Sequence, residues 1–204
     1  PSAPRWLSIC DNKLSGGQQN FILRLLYLAI AIVLILQITM AFKSVEYLVQ
    51  HVTNDDAFYY LQFAYNVAQG LGPTFDGIHR ANGVQPLWAM LLTLLAGITA
   101  DKILLLRGCL LAAAALNAGS GFLLLRLLRL VFRDCRIAEV FGIGAFLAFQ
   151  LQSGHFLTGM ESSLNLFVFL AALLLTVKIV SYDARVDGFL FKQMGMLGVV
   201  GMLL

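Results

Sequence analysis

Two adjacent aspartates, Asp55 and Asp56, follow closely on a segment apolar and long enough to cross a membrane, in a chain with few charges. A carboxylate so placed can take a proton from an attacking hydroxyl or help to hold a cation. A third acid, Glu161, stands in Thr158-Gly159-Met160-Glu161, ahead of a later apolar run. Arg107, Arg80 and His79 are cations able to meet a phosphate, with His155 and Lys102 as secondary candidates. Each also has a plain structural reading. Asn54 or an aspartate can cap a helix, acids belong in a first helical turn, and Arg107 can snorkel to an interface. Capping accounts for one aspartate more readily than for two, because desolvating a carboxylate beside lipid is costly. Side chains one residue apart on a helix point about 100° apart, so one aspartate can face a substrate while its neighbour caps or meets a cation.

The elements that must position these groups are membrane helices. The chain is 59% hydrophobic and 12% charged, about half the charge of a soluble domain, and its mean hydropathy is +0.81. Its apolar runs are continuous rather than alternating, which excludes a β-barrel pattern and predicts an all-α, polytopic transmembrane protein. No basic array suggests nucleic acid. Residues 1–20 read as a cytoplasmic tail and residues 21–204 as a transmembrane module. Within it, 21–42 is a first spanning helix, read as an uncleaved signal anchor, and 43–85 a polar first extracytoplasmic loop. That loop holds a helix over 57–69 that ends at Gly70. Apolar segments follow at 86–100, 103–132, 138–151 and 164–180, with a second outer loop at 152–163. The run from Met194 to Leu204 is too short to span, and the expectation is an N-terminal portion of a larger protein.

Charge orders the topology. If 86–100 crosses fully, Arg126, Arg129, Arg133 and Arg136 fall outside, against the positive-inside bias. If 86–100 is re-entrant or interfacial, that cluster and the one at 178–192 lie inside. Asp55, Asp56, Arg107 and Glu161 then share the outer face, and this version is preferred. Asn82-Gly83 reads as a turn, Pro86 as a first helical position and Trp88 as an interfacial residue. Phe58, Tyr59, Tyr60, Phe63 and Tyr65 read as anchors of an interfacial helix or as the lining of a sugar or lipid groove. Cys10 and Cys135 fall inside and Cys109 within the membrane, so no disulfide is implied.

Asp55-Asp56-Ala57-Phe58-Tyr59-Tyr60, Ala64-Tyr65-Asn66, Gly70-Leu71-Gly72 and Gly83-Val84-Gln85-Pro86-Leu87-Trp88 together resemble the membrane-embedded C-type (GT-C) glycosyltransferases. The likeness covers residues 21–180 and is to the bacterial branch, with its protein O-mannosyltransferases, aminoarabinose transferases and arabinofuranosyltransferases. It implies Asp56 as the catalytic aspartate, Asp55 at a variable position, and Glu161 at a second acidic site that is often Asp. It implies an inverting transfer of a sugar from a polyprenyl-phosphate donor to a hydroxyl of a glycan, lipid or protein. The enzyme would sit in a bacterial plasma (inner) membrane with its active site facing outward. Some members use a divalent metal, so Mg²⁺ or Mn²⁺ on Asp56 and Glu161 stays open; Arg107, Arg80 and His79 are the other candidates for the donor phosphate. The alternatives are a transporter or lipid flippase, whose acids belong near the membrane midplane, and a non-catalytic assembly subunit.

Overall fold

The computed structural model describes residues 16–132, 135–153 and 157–182. The expectations that fall on 1–15, Arg133, His155 and the 183–204 segment therefore lie outside the described residues. The described chain is all-α, with seven α-helices and no strand beyond an isolated Thr74–Arg80 bridge. They are α1 (Gly16–Ala41), α2 (Val45–Tyr47), α3 (Asp55–Ala68), α4 (Pro86–Ile98), α5 (Lys102–Phe132), α6 (Arg136–Ser153) and α7 (Ser162–Tyr182). A π-helical turn, Leu48–Val52, continues α2. Three helices are long and apolar enough to cross a membrane: α1, α5 and α7.

α3 starts at Asp55, two residues before the expected Ala57. The reason is the cap. Asn54 is extended (φ −79°, ψ 150°) and its Oδ1 accepts from the Asp55 amide at 2.9 Å, so both aspartates fall within the first turn, where the helix dipole favours negative charge. α4 has Pro86 in its first turn and runs only 13 residues, about 20 Å, short of a hydrocarbon core about 30 Å thick. It packs along α3 and against the upper part of α5, as the non-crossing alternative for 86–100 requires.

Two tertiary links fix the chain path. The Asn54 amide donates to the Thr158 carbonyl at 3.2 Å, so the turn before α7 sits beside the start of α3. At the other end, Arg129 of α5 and Arg136 of α6 both reach Glu139. α6 therefore carries the chain back from the arginine end to the Asp55 end, and Gln37 of α1 donates to Gln150 of α6 at 3.1 Å on the way. The main core lies where α3, α4, α5 and the 157–164 segment meet, around the fully buried Leu48, Trp88, Leu92, Leu105 and Leu110. Leu25, Leu28, Ile32, Ile35 and Leu36 of α1 face outward, a surface matched to hydrocarbon rather than water.

Two expectations need correction. Trp88 does not face lipid: it is fully buried in the protein, and its indole N–H donates to the Gly159 carbonyl at 3.1 Å. A buried indole needs such an acceptor, and the turn supplies it. Cys135 is disulfide-bonded, whereas Cys109 is free and buried. A disulfide favours an oxidising compartment and the arginine cluster favours the cytoplasm, so the two pull in opposite directions on which side that end faces.

Candidate active site

The site is built where α3 begins, α4 begins and α7 begins. Asp56 and Tyr60 are four residues apart on α3 and share a face. Asp56 is exposed, while Tyr60 is only 6% exposed. The Tyr60 hydroxyl accepts from the Gln85 amide at 3.2 Å, which joins α3 to the entrance of α4. The phenol is held above its ordinary value of 10.0, by burial first. The Gln85 N–H opposes that; Glu161, by its charge and by a hydrogen bond to the phenol, and then the charge of Asp56 add to it. The Asn54–Thr158 hydrogen bond sets the turn that carries Glu161 against the start of α3, so the two acids, from separate connections, come to the same end of the bundle as this phenol.

Glu161 is half-buried, and its Oε2 is enclosed without a hydrogen-bond partner among the described residues. A buried carboxylate oxygen needs a donor, so water, a proton or a ligand hydroxyl completes it. The turn that delivers Glu161 is pinned at Thr158 and Gly159. Thr158 accepts from Asn54, and Gly159 accepts from Trp88 and from the Cys109 thiol at 3.5 Å. Gly159 has φ +78°, and a Cβ there would stand 3.0 Å from the Ala57 Cβ, so only glycine fits without displacement.

Asp55 lies about 100° around the helix from Asp56, on the side of Tyr59 and Gln62. The ring of Tyr59 stacks on Phe75 at 5.0 Å. Asn66, 3% exposed, donates to the Thr74 and Phe75 carbonyls at 3.1 and 2.9 Å and ties the 70–80 loop to α3. Gln62 donates to Asn66 at 2.8 Å and accepts from Lys102 at 3.0 Å. Two apolar hollows border α3. One, of about 310 Å³, lies between Val49, Phe58, Leu61 and Leu106, with Lys102 in its wall. The other, of about 600 Å³, is an open groove between Phe63 and Val67 of α3 and Pro86, Met90 and Leu94 of α4.

The structure seats the expected cations elsewhere. Arg107 donates to the Ala41 and Lys43 carbonyls at 3.1 and 3.3 Å and stands over the Phe42 ring. It closes the C-terminal end of α1, where backbone carbonyls lack helical partners. His79 pairs with Asp76 at 2.7 Å, and that contact together with the His79 and Ile78 amides holds the Asp76 carboxyl well below the usual range. Arg80 is exposed and makes no ion pair among the described residues. No hydrogen bond or ion pair joins Arg107, Arg80 or His79 to Asp56 or Glu161 there.

For a metal, Asp56 and Glu161 would offer carboxylate oxygens of the right kind, but no cluster of three or more His, Cys, Asp or Glu side chains exists among the described residues. Mg²⁺ tolerates such a site by keeping water and taking phosphate oxygens. Sequence reasoning quoted Gly159, Gln85 and Asn66 within its motifs but gave them no bonding role, and it did not anticipate the burial of Tyr60. The i, i+4 spacing from Asp56 was the available signal for Tyr60. No protein-family model, no curated protein and no solved structure matches this chain.

Proposed function

We propose that this protein is a membrane glycosyltransferase that moves a sugar from a polyprenyl-phosphate carrier to an acceptor hydroxyl at the outer membrane surface. The observation that carries the reading is that the Thr158–Glu161 turn packs against the start of α3, through Asn54 and Ala57, so that Glu161 and Asp56 come to one bundle end with the buried Tyr60 and an apolar groove. Asp56 takes the proton of the acceptor hydroxyl as its oxygen attacks the anomeric carbon, and the bond from that carbon to the carrier phosphate breaks with inversion. Glu161 accepts a second hydroxyl of the acceptor or sugar through its unpartnered Oε2. The groove between α3 and α4 holds the apolar carrier chain. The leaving phosphate needs positive charge. Arg80 is the exposed, unpaired candidate, Arg107 can serve only with the N–H groups its cap of α1 leaves over, and a divalent ion on Asp56 and Glu161 would supply the same neutralisation.

The test is transfer of radiolabelled sugar from a polyprenyl-phosphate donor by purified protein in vesicles. Asp56→Asn preserves size and removes the base, so turnover falls at least about a hundredfold, with Asp55→Asn costing less. Near-normal transfer by Asp56→Asn, inserted normally, overturns the assignment.

A further inference from the structure

The most unusual electrostatics in the molecule lie at the opposite end of the bundle. Glu139 of α6 is fully buried, and two arginines share it: Arg136 Nη1 at 2.6 Å and Arg129 Nε at 3.4 Å. The two cations are themselves only 16% and 26% exposed. Among the described residues, one carboxylate thus serves two guanidinium groups, and Tyr27 also reaches Arg129. Two of the guanidinium nitrogens, Arg129 Nη2 and Arg136 Nε, are buried with no acceptor. Buried N–H donors without an acceptor are unfavourable, and an anion's oxygens would fill them.

The depth says which anion. α5 has 31 residues, about 46 Å of helix against a hydrocarbon core of about 30 Å. Centred in a bilayer, its ends stand about 23 Å from the midplane, and Arg129, three residues from the end, stands about 18 Å away, at headgroup level. Around it, Val131, Phe132, Ile137, Val140 and Phe141 present exposed apolar surface, on which acyl chains can lie. Arginine forks match phosphate oxygens with paired N–H groups.

We propose that Arg129 and Arg136, oriented by Glu139, bind the phosphate of an anionic phospholipid in the leaflet at that end of the bundle. Glu139 is then a positioning residue that fixes one edge of each guanidinium and leaves the other edges for the lipid. It also keeps the site from carrying two unbalanced charges when no lipid is bound.

The experiment uses the intact chain in micelles that contain phosphatidylglycerol and phosphatidylcholine at equal mole fraction, with retained lipid counted by native mass spectrometry. Wild type is expected to retain phosphatidylglycerol over phosphatidylcholine, and Arg136→Gln to lower that retention about fivefold, the usual effect of one basic side chain at an anionic surface. Lys178→Gln, which removes an exposed charge from α7, should leave it nearly unchanged. Glu139→Gln should raise it, an outcome that a purely structural ion lock does not produce. If Arg136→Gln or Glu139→Gln does not fold, Arg129→Lys is read instead; it keeps the charge, loses the fork and should also retain less. Equal retention of the two lipids by wild type, matching losses in Arg136→Gln and Lys178→Gln, a loss in Glu139→Gln, unchanged retention in Arg129→Lys, or displacement of the lipid by inorganic phosphate each overturns the proposal.

Discussion

Gly159→Ala probes how Glu161 is delivered, and its size follows from two separate penalties. The backbone there has φ +78°, which costs a residue with a Cβ about 1–2 kcal/mol. The new methyl would meet the Ala57 Cβ at 3.0 Å. That neighbour is the root of a side chain on a buried helix face and cannot rotate away, so overpacking adds about 1–3 kcal/mol. A stiffer unfolded chain returns about 0.4–1 kcal/mol, which leaves a net loss on the order of 1–4 kcal/mol. Ala57→Gly removes the obstructing atom but not the backbone strain. In that background the same substitution should cost only the smaller part, so the double-mutant cycle reads a coupling of about 1–3 kcal/mol. The assay is denaturant unfolding in micelles for all four proteins, with sugar transfer measured in parallel. Equal costs in the two backgrounds would refute the contact, and a cost below about 0.5 kcal/mol, the level of a neutral surface change, would refute the turn geometry as well.

Tyr60→Phe removes the acceptor for the half-buried Gln85 amide and should destabilise by about 0.5–1.5 kcal/mol, the net worth of a typical hydrogen bond, read by the same unfolding assay. The neutral Tyr60 phenol, held above its ordinary 10.0, contributes stability that is complete below pH 10 and is lost as pH rises through its folded value. Tyr60→Phe should therefore flatten the alkaline limb of the stability profile, and an unchanged limb argues against the buried phenol. Arg107→Ala should loosen the end of α1, whose carbonyls it meets, and lower unfolding stability; lost donor affinity with intact stability would restore it as a phosphate ligand. In a background without other reactive thiols, a cysteine at Gln69 should react with an impermeant reagent from outside and one at Phe132, the last residue of α5, should not. Labelling of both from one side would break the chain path through α5. Chelation followed by Mn²⁺ add-back decides the metal question: loss and recovery of transfer, with a weaker metal response in Glu161→Gln, assigns the ion to the two acids, and indifference to chelator removes it.

The fold was legible in the sequence because hydrocarbon demands long apolar helices. Helices α1, α5 and α7 run where continuous apolar residues predict them. The shortfall of 86–100 was legible too, since length alone distinguishes a 13-residue helix from a span. What the sequence hid was side-chain destination. Trp88 looks interfacial in any string, because an indole suits both a headgroup region and a buried acceptor; only the arrival of the Gly159 carbonyl decides it. Arg107 looks like a phosphate ligand for the same reason, since a guanidinium reads a helix C-terminus as readily as an anion. The two aspartates were easier, because Asn54 beside them supplies the cap that either would otherwise have to be.

The position of the acids also weighs between chemistry at a surface and passage through the membrane. A transporter needs titratable or ion-binding groups partway along its helices, reachable from both sides in turn. Among the described residues, Asp55, Asp56, Asp76, Asp101 and Glu161 all lie at or before helix starts or in the loop at the α3–α4 end. Asp76 is engaged by His79, and Asp101 caps α5 through the Ile103 amide at 2.7 Å. Glu139 lies within a helix but near the far end, already matched by two guanidinium groups. Among the described residues, the Gln37–Gln150 pair that joins α1 to α6 is neutral and can neither carry a proton nor neutralise a cation. A mid-helix relay would have to be assembled from residues that carry no charge, whereas surface chemistry has two converging acids, a buried phenol and an apolar groove at one place. That asymmetry favours transfer at the membrane face over transport across it.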